Sequence, residues 1–168
     1  INLGELGGEG GSLSLRSVQL LLLITVLSIV PGLAVMVTCF PFIVTVLSIL
    51  RQAIGLQQAP PNMLIISLSL FLTWYVMDPV FTQAWETGIE PMTTGQMEVA
   101  PALQAAILPF REFMALRVDP DTFLSLADLR PAAGEVAPAA APLSLLVPSF
   151  LLSEIQRAFE IGFMIFLP

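Results

Sequence analysis

Residues 17–50 read SVQLLLLITVLSIVPGLAVMVTCFPFIVTVLSIL, thirty-four consecutive positions without a charged side chain. As one helix rising 1.5 Å per residue, this stretch would reach about 51 Å, whereas the hydrocarbon core of a bilayer is about 30 Å thick. Two spans would need about 40 residues and a turn. The stretch is too long for one span and too short for two. Pro31-Gly32 and Pro41 interrupt it, and proline removes a helix hydrogen bond and kinks the axis. In lipid the freed carbonyls need partners on neighbouring helices. The expectation is a broken helix packed against protein, with kinks at Pro31, Gly32 and Pro41.

On the N-terminal side, residues 1–17 are rich in Gly and Ser and read as a flexible leader. The start at Ile1 rather than Met reads as a processed or trimmed end. On the C-terminal side, Arg51 opens a connector. Gly55, Pro60, Pro61 and Asn62 then give a turn followed by a helix start, since consecutive prolines cannot lie inside a helix. Met63 to Met77 is a continuous apolar helix expected to end near Asp78-Pro79. Residues 18–77 thus form a hydrophobic helical hairpin with its turn at 51–62.

Composition agrees with a membrane setting. Only 11 % of the 168 residues are charged and 56 % are hydrophobic, against about 25 % charged in soluble domains. Too little polar surface remains to cover a soluble sphere, and disorder needs the opposite balance. The absence of His and the single Cys39 exclude a side-chain zinc site, a Ser-His-Asp triad and an internal disulfide. No metal, cofactor or catalytic residue is predicted. A net charge of −7 without a basic cluster argues against nucleic acid.

From Asp78 to Pro142 the character changes to nine acids, three Arg and many Pro. Leu103, Ile107, Phe110 and Met114 recur at helical spacing, with Phe113 and Leu116 widening the stripe. Asp119-Pro120-Asp121-Thr122 reads as a second helix start, with Phe123, Leu124, Leu126 and Leu129 on its apolar side. Ala132 to Pro142 is an Ala/Pro linker. The Arg51 connector, lacking acids, points to the cytoplasmic side, which places the N-terminus and this acidic module outside. From Leu143 an apolar run resumes and looks cut short at Pro168. Glu154, Arg157 and Glu160 are its only charges and fall on one helix face.

These residues resemble the FliP family of flagellar biosynthetic proteins. The resemblance is carried by Met36-Val37-Thr38-Cys39-Phe40, Ile49 to Gly55, Ala59-Pro60-Pro61-Asn62, Pro109 to Met114 and Val147 to Phe163, in the family's order. It implies an inner-membrane subunit of the type III export gate at the flagellar basal body. Such a subunit assembles as a homopentamer with FliQ, FliR and FlhB around a conduit for unfolded flagellar proteins. It also implies a cleaved signal peptide and helices lifted partly out of the bilayer. Where the family commonly has Thr-Arg, this chain has Pro41-Phe42. The family's methionine-rich gating segment and last hydrophobic region would lie beyond Pro168.

Ionisable groups at membrane depth pair or line a cavity, so Glu154, Arg157 and Glu160 read either as a seam between subunits or as an internal ion pair. Phe110, Phe113 and Phe123 read either as local core or as subunit contacts, because two short helices supply little core. The fold class is all-α: kinked hydrophobic hairpins with a small helical extracytoplasmic module, membrane-associated. The competing functions are an injectisome export subunit, a small-solute transporter with broken helices around a midplane site, and a plain membrane anchor. A transporter wants internal repeats and buried polar ligands, and neither is visible.

Overall fold

The computed structural model describes residues 9–55, 60–130 and 136–167. Every regular element among them is helical: α1 Glu9–Met36, α2 Phe40–Ala53, α3 Asn62–Ala84, a π-helical turn Trp85–Ile89, α4 Glu90–Thr93, α5 Val99–Arg117, α6 Pro120–Asp128, a 3₁₀ turn Pro138–Ala140 and α7 Leu143–Phe166. The chain divides into two compact units, residues 1–34 and 35–168. Three helical stretches are long and apolar enough to cross a membrane: Ser14–Met36, Asn62–Thr93 and Val99–Arg117. The structure is that of an all-α membrane protein, as the composition requires.

Residues 17–50 form two helices rather than one kinked helix. Pro31 and Gly32 lie inside α1, which continues unbroken to Met36. The chain leaves the helix at Val37-Thr38-Cys39. Thr38 stabilises this break, because its hydroxyl donates to the Val35 carbonyl at 2.7 Å and accepts from the Phe40 N–H at 3.2 Å. Pro41 then sits in the first turn of α2. There a missing N–H costs nothing and a fixed φ favours the helix. Pro41 is therefore a helix start, not a kink.

The hairpin is made by α2 and α3. Gly55 follows the α2 cap at φ +77°, a left-handed conformation that glycine adopts without penalty, and its N–H bonds the Gln52 carbonyl at 3.0 Å. Pro61 caps α3 and Asn62 begins it. The Arg51 side chain donates to the Asn62 carboxamide, tying the two helix ends together. At the other end Cys39 lies against Thr73, so the helices run antiparallel. Residues 56–59 of the expected turn, 131–135 of the expected linker and 1–8 of the leader lie outside the described residues.

The end expected near Asp78-Pro79 does not occur. α3 runs through Pro79 to Ala84 and on through the π turn into α4. Pro109 and Pro148 likewise lie within α5 and α7. Proline stops helices in water because the freed backbone groups find other partners there. Here the packing of each helix against its neighbours outweighs the cost of an interior proline, about 3 kcal/mol, so the helix continues.

Within residues 35–168 the packed faces mix large apolar side chains with small and polar ones. α3 buries Ile65, Ser69, Thr73 and Met77, and α7 buries Leu145, Leu146, Ser149, Phe150, Ser153, Glu154, Ala158 and Gly162. The four hydroxyls each donate to the carbonyl four residues earlier, at 2.7 Å. Gly162 lets α2 approach α7, since a Cβ there would meet Ile49 Cδ1 at 2.6 Å. Gly88 in the π turn does the same for α5, where a Cβ would meet the Ala102 carbonyl oxygen at 2.5 Å. Small residues at helix crossings and large apolar residues outside are the arrangement lipid favours.

Candidate functional site: a charged corner between α5, α6 and α7

The apolar floor of the corner is a cluster of Met114, Val118, Phe123, Ala141, Leu145, Leu146 and Phe150. Phe113 packs edge-on against Phe150, with ring centres 5.8 Å apart. α5 ends at Arg117, and Val118 and Asp119 turn the chain into α6. The predicted start of α6 is realised in full. The Asp119 carboxylate accepts from the Thr122 N–H at 2.8 Å and from its hydroxyl at 2.9 Å. These hydrogen bonds to the charged form hold the Asp119 carboxyl below the usual carboxylate range.

Glu154 lies above this floor and has no solvent exposure. Arg117 grips it side-on, Nε to Oε1 and Nη2 to Oε2, both at 3.0 Å. Arg157 adds a bond from Nη1 to Oε1 at 2.6 Å. Its Nη2 donates to the Arg117 backbone carbonyl at 2.8 Å. Residue 153 completes the contact: the Ser153 hydroxyl, while donating within α7, accepts the Asp119 N–H at 2.9 Å. One turn of α7 thus satisfies a carbonyl at the end of α5 and an N–H at the start of α6. A helix end buried without such partners would be costly.

Arg117 also carries two aromatic contacts. Its guanidinium carbon lies 5.4 Å from the centre of Phe113 and 5.9 Å from that of Phe42 on α2. Planar guanidinium suits this combination of a carboxylate fork and ring faces, which lysine could not reproduce. Through Arg117, the corner joins α2, α5 and α7.

The predicted residues separate into three groups. Glu154 and Arg157 meet in the corner, with both Glu154 partners in this chain. Glu160 is exposed and accepts from Gln156 at 3.0 Å. Phe123 is core, Phe113 borders it, and half-buried Phe110 stacks 5.8 Å from Phe81 of α3. Gly55, Pro60, Pro61 and Asn62 lie at the hairpin turn, remote in sequence from the corner. Reading the sequence missed Arg117, Ser153 and Phe42. A signal for Arg117 existed: an acid within an apolar run requires a cation, and the chain has only six basic residues. Among the described residues no group of three His, Cys, Asp or Glu could hold a metal ion.

Residues 23–168 match the FliP family. The chain belongs to that family. It is 45 % identical over 161 residues to the flagellar biosynthetic protein FliP of Caulobacter vibrioides, covering 96 % of this chain and 60 % of that protein. Against the Cereibacter sphaeroides protein of the same name, identity is 40 % over 161 residues, covering 96 % and 54 % respectively. Against that of Bacillus subtilis it is 38 % over 156 residues, covering 90 % and 69 %. The chain spans just over half to about two thirds of the length of these FliP relatives. The family resemblance carried by the motifs from Met36 to Phe163 therefore holds, and the charged corner lies within the matched span.

Proposed function

We propose that the chain is a structural subunit of the bacterial flagellar type III protein export gate, residing in the inner membrane at the basal body. Membership of the FliP family over residues 23–168 carries this reading. In it the subunit self-assembles as a homopentamer, joins FliQ-, FliR- and FlhB-like subunits, and lines or supports a conduit for unfolded flagellar proteins. Its contribution is scaffolding, without bond chemistry. The packing supports this. The corner fixes α5, α6 and α7 into one unit, while Leu64, Phe71, Leu103, Leu108, Phe159 and Phe163 stay exposed for lipid and neighbouring subunits.

Subunit contacts are proposed at Arg157, Glu160 and Phe110, which are reachable from outside, with Glu154, Phe113 and Phe123 shaping that face from within. The Arg51 connector is assigned to the cytoplasm, and the N-terminus and residues 78–142 to the periplasm, on the weight of positive charge. Gentle detergent extraction followed by mass measurement tests the central reading. A homopentamer, or a larger complex with FliQ- and FliR-like chains, is expected. A stable monomer or dimer would contradict it.

A further inference from the structure

Five of the six arginines are engaged within the chain. Arg51 donates to Asn62, Arg111 to the Ala141 carbonyl, Arg130 to Ser144, and Arg117 and Arg157 to Glu154. Arg16 on α1 is exposed and has no hydrogen bond or ion pair among the described residues. Asp78 on α3 is its counterpart among the acids. It too is exposed and unpaired, and it is the first charge after Arg51. Asn62, held by Arg51, marks the polar end of α3, and Asp78 lies about 24 Å further along at 1.5 Å per residue. That is short of the about 30 Å of a hydrocarbon core, a depth at which ionisable groups face protein or a cavity rather than lipid.

Asp78 ends a stripe. Met63, Ser67, Phe71, Trp74 and Asp78 recur at helical spacing, so they share one side of α3, and all five are exposed. The side bearing Ile65, Ser69, Thr73 and Met77 packs within this chain instead. Large side chains around the small Ser67, closed by one carboxylate, suit a single apolar helix that brings the opposite charge. α1 has that chemistry. Arg16 opens an uncharged run from Ser17 to Met36, with Leu20, Leu23 and Leu27 on the Arg16 side. The most apolar window of α1 has no buried position within this chain. The proposed topology assigns the N-terminus and residue 78 to one side of the membrane. With Arg16 level with Asp78, the two uncharged runs lie antiparallel, side by side. We propose that α1 of a second copy docks on the Met63–Asp78 stripe of α3, with Arg16 paired to Asp78.

This rests on the self-assembly under the proposed function, which mass measurement of the unsubstituted chain checks separately. Leu20 and Trp74 each lie four residues inward from their charge, so they meet at one height. In a Cys39→Ala background, full chains carrying Leu20→Cys are co-expressed with full chains carrying Trp74→Cys and oxidised in the membrane with copper phenanthroline. Disulfide dimers of the two chains are expected, and Val18→Cys, on the far side of α1, should give far fewer. Arg16→Glu or Asp78→Arg alone should make the assembly dissociate on dilution in detergent at least about tenfold more readily, and the two together should restore it. Cross-linking no stronger than from Val18→Cys, with the assembly intact by mass, would overturn the docking and leave self-assembly standing. A disulfide formed only when both cysteines sit in one chain would place α1 on its own α3, which also overturns it. A double swap that restores nothing would overturn the Arg16–Asp78 pairing. An unsubstituted chain that stays monomeric overturns both readings.

Discussion

α1 runs for 28 residues and α7 for 24, and about half of each is large and aliphatic or aromatic: Leu, Ile and Val in α1, with Phe added in α7. In α1, from Ser17 to the end at Met36, there is no charge, and its most apolar window has no buried position within this chain. α7 carries Glu154, Arg157 and Glu160, together with Ser149, Ser153 and Gly162, and it buries eight residues. The helix with charges inside its apolar run is the better packed. Apolarity marks what can face lipid, whereas small and polar residues at helical spacing mark what packs against protein, because only they gain by leaving lipid for a partner.

The comparison breaks most sharply at Glu154. Replacing it with Ala leaves two guanidiniums at the corner without their carboxylate. The expected loss is about 3 kcal/mol or more of unfolding stability in mild detergent. Glu154→Gln, which keeps acceptor and shape, should lose less. A loss under about 0.5 kcal/mol for Glu154→Ala, the range of ordinary surface substitutions, would remove the corner as a stabilising feature.

The same truncation at two leucines tests the two helices directly. Leu146 on α7 is fully buried, and Leu21 on α1 is 66 % exposed. Leu146→Ala should cost about 3 kcal/mol, the transfer term plus a cavity. Leu21→Ala should stay within about 0.5 kcal/mol. Equal effects would erase the distinction.

Close approach sharpens it further. Gly88→Ala drives a methyl toward the Ala102 carbonyl oxygen and the Ala106 backbone N, so backbone must shift. The expected cost is about 2 kcal/mol. Gly162→Ala meets only the Ile49 side chain and should cost less. Adding Ile49→Val, which removes the nearest atom, should recover part of that loss, readable as coupling in a double-mutant cycle.

How much of this was legible follows from how local each signal is. The hairpin turn and the start of α6 were readable because Gly55, Pro61 and Asp119-Pro120 act within a few residues of themselves. The helix α5 was readable from its period, but its packed face was not: Leu103, Ile107 and Leu116 are exposed, and α5 buries Ala102, Pro109 and Met114. The break at Val37–Cys39 was not, because Pro31 and Pro41 carry the local breaking signal, while Thr38 supplies the hydrogen bonds that make a break possible there. The run of α3 past Pro79 was missed for the converse reason: tertiary packing of the helix overrides proline. Arg117 was hidden because its partner lies 37 positions away. Only the fold could reveal that the acid on α7 is answered from α5.

Smaller effects complete the series. Ser153→Ala leaves the Asp119 N–H without its acceptor and should cost about 1–2 kcal/mol. Asp119 gives the weakest effect, visible only in acid. Its folded pKa is depressed, so its contribution is full above the unfolded value and is lost as pH falls through the folded one. Stability of the α5–α6 turn should therefore drop below about pH 4, and Asp119→Asn should flatten that limb of a pH titration.

The most direct measurement is a double-mutant cycle between Arg117 and Glu154, read as unfolding free energy in detergent. If the Arg117–Glu154 fork holds α5 to α7, the two alanine substitutions should couple by about 1–3 kcal/mol, with Arg117→Lys failing to restore the loss. Additive losses, with coupling below about 0.3 kcal/mol, would contradict the claim that the corner organises this packed unit.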